Sequence, residues 1–156
     1  MASEVLPFHP KPGSPRSPLR VLIADDNTDT LLTLSALLAD EGHDIRALAD
    51  GSDVIELVRG FDPDVCILDI EMPGKDGFIL ARELRDRRQG ERPMLVAMSG
   101  VWVRPSDRFL AIMVGFDHFF QKPADPQELI QVLNEFRQGR RVSSMDERVH
   151  LSRGGQ

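Results

Sequence analysis

The stretch VCILDIEMPGKDG, residues 65–77, begins as a buried strand and then places an acid at its end. Val65, Cys66, Ile67 and Leu68 form an unbroken apolar run, the pattern of a strand covered on both faces rather than on one. Asp69 follows at once, before a turn built on Pro73 and Gly77. A carboxylate at the end of a buried strand costs free energy unless something pairs with it. The identity of that partner decides how the rest of the chain is read.

Outward from this stretch the pattern alternates. RVLIAD (20–25) is a short apolar strand, and TDTLLTLSALLADEG (28–42) follows with Leu31, Leu34, Leu37 and Leu38 at helical spacing and Gly42 as the stop. DIRALA (44–49) reads as a second strand, and SDVIELVRG (52–60) as a helix with Val54, Leu57 and Val58 on one face. PDVCILD (63–69) is the third strand, and DGFILARELRDRR (76–88) a helix turning Phe78, Ala81 and Leu84 inward. PMLVAMS (93–99) is the fourth strand, PSDRFLAIMVG (105–115) a helix, and HFFQK (118–122) the fifth strand. The last helix opens on Asp125 as cap and Pro126 at its first position, with an inward stripe of Leu129, Val132, Leu133 and Phe136. Five strands alternating with five helices predict an α/β fold, a doubly wound parallel sheet covered on both faces.

The flanks differ. Residues 1–18 hold five of the eleven prolines and read as a Pro-rich extended or disordered arm. Residues 139–156 carry no apolar stripe and read as an Arg-rich tail, so the folded domain is expected over 19–138. A chain of 156 residues suits one domain. Its net charge of −6 argues against nonspecific nucleic-acid binding. Cys66 is the single cysteine, which excludes an internal disulfide and suits a reducing compartment. With no signal peptide or membrane-spanning stretch apparent, a cytoplasmic protein is expected.

In open parallel sheets, sites form beyond the carboxyl ends of the strands. The first strand ends in Asp25 and Asp26, the third in Asp69, the fourth in Ser99 and the fifth in Lys122. If the first and third strands are neighbours, three carboxylates meet and repel one another. A divalent cation resolves that repulsion, and all-oxygen donors with incomplete protein coordination favour Mg²⁺. Ser99 and Lys122 can then hold phosphoryl oxygens, while one carboxylate acts as nucleophile toward phosphorus.

These residues carry a family likeness. LIADDN (22–27), LDIEMPGKDG (68–77), AMSG (97–100) and GFDHFFQKP (115–123), in this order at the ends of these strands, resemble the response regulator receiver domain of two-component systems, in the chemotaxis-regulator-like superfamily. The resemblance spans roughly residues 19–137 and implies a flavodoxin-like (βα)5 fold with strand order 2-1-3-4-5. It implies Asp69 as phosphoacceptor, Asp26 as a direct Mg²⁺ ligand, Asp25 acting on the metal through water, and Glu71 offering its backbone carbonyl. Ser99 and Lys122 would hold the phosphoryl group, and the Lys122–Pro123 peptide would be cis. The switch would join Ser99 to Phe119, an aromatic position where this chain, having no tyrosine, lacks a ring hydroxyl.

The expected function is that of a single-domain receiver, phosphorylated on Asp69 by a histidine kinase or histidine phosphotransfer protein. It would signal through an unidentified downstream protein by contacts on the fourth helix, fifth strand and fifth helix. No direct contact with nucleic acid or membrane is expected, and a homodimer is compatible with this reading. Such a protein is a signalling phosphoacceptor rather than an enzyme, catalysing at most its own phosphorylation and dephosphorylation. A receiver fragment of a hybrid kinase or larger regulator would show the same residues, and a phosphorylation-independent scaffold is the alternative from another class. A haloacid-dehalogenase-like phosphatase would need D-x-D after the first strand, where this chain has ADDN. A flavodoxin would need a hydroxyl-rich loop there. Elsewhere, His9, His43, His118 and His150 read as surface residues, and Cys66, Met94, Met98 and Met113 as packing. Trp102 reads as a loop aromatic suited to packing or partner contact.

Overall fold

The computed structural model describes residues 4–10, 12, 18–87, 93–100 and 104–139. In chain order these form β1 (Leu6–Phe8), β2 (Arg20–Ala24), α1 (Thr28–Asp40), β3 (Asp44–Leu48), α2 (Val54–Phe61), β4 (Val65–Asp69), α3 (Gly77–Arg87), β5 (Met94–Ser99), α4 (Pro105–Val114), β6 (His118–Gln121) and α5 (Pro126–Arg137). The sheet order is β1-β3-β2-β4-β5-β6. Strands β2 to β6 are the five expected ones, all parallel, in the expected relative order.

The chain leaves β2 toward β3 on one side and reaches β4 on the other side of β2. Connections leaving β2 and β4 therefore part in opposite directions and open a crevice over the carboxyl ends of these two strands. Strands β2 to β6 send alternate residues to two cores. Val21, Ile23, Ile45, Ile67 and Val96 pack with residues of α1 and α5, while Leu22, Leu48, Cys66, Leu68 and Leu95 pack with residues of α2, α3 and α4. All five residues of β4 are buried. Burying one aliphatic side chain contributes roughly 1.5–3 kcal/mol, so β4 is held firmly from both faces. Helix α1 takes its cap from Asn27, whose side chain accepts the Thr30 N–H. Neither preceding aspartate is used as its N-cap.

The N-terminal arm differs from expectation. Residues 6–8 are a strand, not disordered chain, and pair antiparallel with β3 in the register Leu6↔Ala47, Pro7↔Arg46 and Phe8↔Ile45. Leu6 and Phe8 also pack against the α1/α5 core, which supplies apolar burial that a proline-rich composition does not advertise. The strand covers the edge β3 would otherwise present. Pro7, with no N–H to donate, makes β1 a poor template for a further strand.

Three other expectations are corrected. His43 and His118 are buried, at 0% and 2% exposure, because they lie where α1 meets β3 and within β6. Met113 is 62% exposed, on the outer face of α4, rather than packed. Trp102, His150 and the tail beyond Gly139 lie outside the described residues. No helix among the described residues is long and apolar enough to cross a membrane.

Deleting residues 1–9 removes β1 and uncovers the β3 edge; a lower Tm and concentration-dependent self-association, read by calorimetry and light scattering, are expected. His43 is held down to about 4 from its ordinary 6.5, by burial and then by the Arg137 guanidinium beside the ring. The fold's preference for the neutral ring is fully present above pH 6.5 and is lost as pH falls toward 4. Wild-type Tm should therefore fall more steeply across that interval than the Tm of His43→Gln, whatever their difference at neutral pH.

Candidate functional site

The crevice collects the acids. Asp25 and Asp26 follow β2, Asp69 ends β4, and one carboxylate oxygen from each lies within 4.8 Å of the others. Asp25 and Asp69 are 2% and 3% exposed, whereas Asp26 faces solvent. Lys122, just past β6, reaches across β5 and places Nζ 2.7 Å from Asp25 Oδ2 and 3.2 Å from Asp69 Oδ2. The Lys122–Pro123 peptide is cis. Asp25 Oδ1 accepts the Asn27 N–H at 2.9 Å, and Asp69 Oδ1 accepts the Glu71 N–H at 3.3 Å.

One ammonium among three carboxylates leaves net negative charge. Burial pushes Asp69 up to about 7, and the Asp25 charge adds to this against the opposing pull of Lys122. For Lys122, burial works against the charge, but the hydrogen bonds and charges of Asp25 and Asp69 outweigh it and hold its pKa above the ordinary value. Clustered hard oxygen donors with residual negative charge and one open, solvent-facing ligand suit a small divalent cation. The residues present therefore fit Mg²⁺.

Ser99, 2% exposed at the end of β5, is turned to a partner that sequence reasoning missed. Its hydroxyl donates to Glu71 Oε1 at 2.6 Å. The family resemblance places Glu71 at the site through its backbone carbonyl; the side-chain bond joins residues 28 apart and needs β4 and β5 side by side. Phe119 is buried at 2% exposure, and the Arg108 guanidinium lies over its ring, 5.3 Å from the centroid. No spacing rule links those two residues either.

The loops around Asp69 are set by close backbone approach. A Cβ on Gly51 would overlap the Lys75 carbonyl oxygen, and one on Gly77 would stand 2.8 Å from that of Asp69. Only glycine lets the β3–α2 loop and the start of α3 press against the chain that follows β4. Beside Lys122, a groove of about 510 Å³ runs between α1 and the β6–α5 loop, lined in part by Asn27, Thr33, Leu37, Gly100 and Pro123.

A doubly wound, flavodoxin-like sheet with aspartates, a hydroxyl and a lysine converging on its carboxyl edge defines the class. The family model of the response regulator receiver domain matches residues 21–134, and the chain belongs to that family, the receiver domains of two-component systems. It is 33% identical over 111 residues to the aerobic respiration control protein ArcA of Escherichia coli K12. That match covers 70% of this chain and 44% of ArcA, so the chain spans less than half the length of that curated relative. It is 31% identical over 116 residues to a 14.6 kDa protein from the sodA1 3′ region of Leptolyngbya boryana, covering 74% of this chain and 88% of that one. Among solved structures, the N-terminal domain of a Wolinella succinogenes protein superposes with TM-score 0.69 at 27% identity, over 78% and 95% of the two chains. The BeF3-activated receiver domain of Klebsiella pneumoniae RstA shares the fold, with TM-score 0.69 at 24% identity over 76% and 97%.

The raised Asp69 pKa gives a signed prediction. A carboxyl raised in the fold stabilises it while protonated, and that contribution is lost as pH rises through about 7. In metal-free buffer, Asp69→Asn should raise Tm relative to wild type at pH 8. The gain should shrink toward pH 5, where the wild-type carboxyl is itself neutral.

Proposed function

We propose that Asp69 is the phosphoacceptor of a receiver that takes a phosphoryl group from a phosphohistidine and signals by protein contact. The observation that carries this reading is the contact of the buried Asp69 carboxylate with Lys122 beside Asp25 and Asp26. An ionised Asp69 oxygen attacks phosphorus and the P–N bond to the donor imidazole breaks, leaving the phosphoryl group on Asp69. Glu71 N–H steadies one Asp69 oxygen, so the other faces the incoming group. Lys122 Nζ offsets the charge on the phosphoryl oxygens, and Ser99 supplies a hydroxyl hydrogen to one of them. Asp26 would hold Mg²⁺ directly with Asp69 and the Glu71 carbonyl, and Asp25 through water. Bound there, Mg²⁺ supplies positive charge that keeps Asp69 ionised and offsets the phosphoryl group.

The donor is a histidine kinase or phosphotransfer protein, whose imidazole must enter over the open crevice. The reader is expected on α4, β6 and α5. In support, α4 exposes Phe109, Leu110 and Met113 at 55%, 48% and 62%, more apolar surface than a solvated helix needs. Phe119 beneath this helix is the aromatic that would couple the site to that surface.

Incubation with acetyl phosphate and Mg²⁺ should add one acid-labile phosphoryl group by mass spectrometry. The gain should vanish in Asp69→Asn and form at least about 10-fold more slowly in Lys122→Met, which loses the charge-assisted contacts. A gain that persists in Asp69→Asn would overturn the assignment. Mg²⁺ affinity, measured by calorimetry, should drop at least about 10-fold in Asp26→Ala; equal affinity would remove Asp26 from the ligand set.

A further inference from the structure

We infer that the Glu71 side chain is a latch on the Ser99 hydroxyl, one that phosphorylation of Asp69 must break. This rests on the proposed phosphoacceptor role of Asp69. A serine hydroxyl has one hydrogen to donate. In this structure Ser99 gives it to Glu71 Oε1 at 2.6 Å, a short, charge-assisted bond. A phosphoryl group on Asp69 presents only acceptor oxygens to Ser99 in its ionised form, so the same hydrogen is needed there. The two acceptors compete, and the phosphorylated state forms at the expense of the Ser99–Glu71 bond.

The surroundings suit a releasable contact. Ser99 is buried at the end of β5, where bulk water does not compete for its hydrogen. Glu71 is exposed, so its released carboxylate passes to water at small cost. Glu71 also touches Asp69 through its own N–H at 3.3 Å. One residue thus holds both the expected acceptor of the phosphoryl group and the hydroxyl expected to sense it. Its backbone favours the ionised nucleophile, while its side chain keeps the sensor occupied. Glu71 is a positioning residue in this scheme: it acts through Ser99.

The test is a double-mutant cycle read by beryllofluoride binding in the presence of Mg²⁺, beryllofluoride standing for the phosphoryl group. Glu71→Ala, in an otherwise wild-type chain, should bind beryllofluoride roughly 3- to 10-fold more tightly, the scale of one lost competing hydrogen bond at a partly solvated site. Glu71→Gln keeps an acceptor but loses its charge, and should fall between. In the Ser99→Ala background, where there is no hydrogen to contest, Glu71→Ala should change the affinity little. An equal gain in both backgrounds would mean that Glu71 repels the anion through its charge alone, and would overturn the latch. So would unchanged or weaker binding in Glu71→Ala with Tm retained. Failure of the wild type both to bind beryllofluoride and to accept phosphate from acetyl phosphate would instead remove the phosphoacceptor reading itself.

Discussion

The structure depends on one electrostatic compromise: three carboxylates gathered at the end of a two-sided buried sheet, with one lysine to answer them. Asp69 has almost no contact with water, Asp25 has none to spare, and Lys122 touches both. Had the strands been exposed, solvent would have screened these charges and Asp69 would titrate near its ordinary value. Because β4 is buried throughout, the charges act on one another at short range. Asp69 is consequently raised to about 7, close to the pH at which a cell works. Small changes in its surroundings, such as a cation or a covalent phosphoryl group, then carry large electrostatic consequences.

The apolar framework makes this compromise tolerable. Leucines, isoleucines and valines from five parallel strands and their helices fix the backbone around the crevice. The site need not hold itself together. Gly51 and Gly77 let neighbouring loops approach the chain after β4 more closely than any side chain would permit. The local stress of a half-compensated acidic cluster is thus carried by packing elsewhere, a common arrangement where a site must respond to a ligand. Outward from Asp69, Glu71 bonds Ser99 on β5, and β5 adjoins β6, where Phe119 lies under Arg108 of α4.

Much of this was legible in the chain itself. Apolar runs at 20–25, 63–69 and 93–99 marked the central strands because two-sided burial leaves no polar alternation to hide them. The carboxyl-edge residues could be read off the ends of those runs, since a parallel sheet brings its strand ends to one side. The N-terminal strand was not legible, because three residues within a proline-rich arm carry no periodicity. Its order comes from the open edge of β3 and from the apolar contacts of Leu6 and Phe8. The buried His43 and His118 escaped for a similar reason: a lone histidine is amphipathic, and only its neighbours decide on which side of the surface it lies.

By sequence alone the chain determined its α/β architecture, the end of strand at which chemistry could occur, and the residue types gathered there. Those follow from local pattern and from the geometry every parallel sheet shares. Tertiary structure decided the pairings: Lys122 between Asp25 and Asp69, Ser99 with Glu71, Arg108 over Phe119, and β1 along β3. Each joins residues distant in the chain, so it depends on side-chain reach and burial after strands and helices have packed. No spacing rule contains that information.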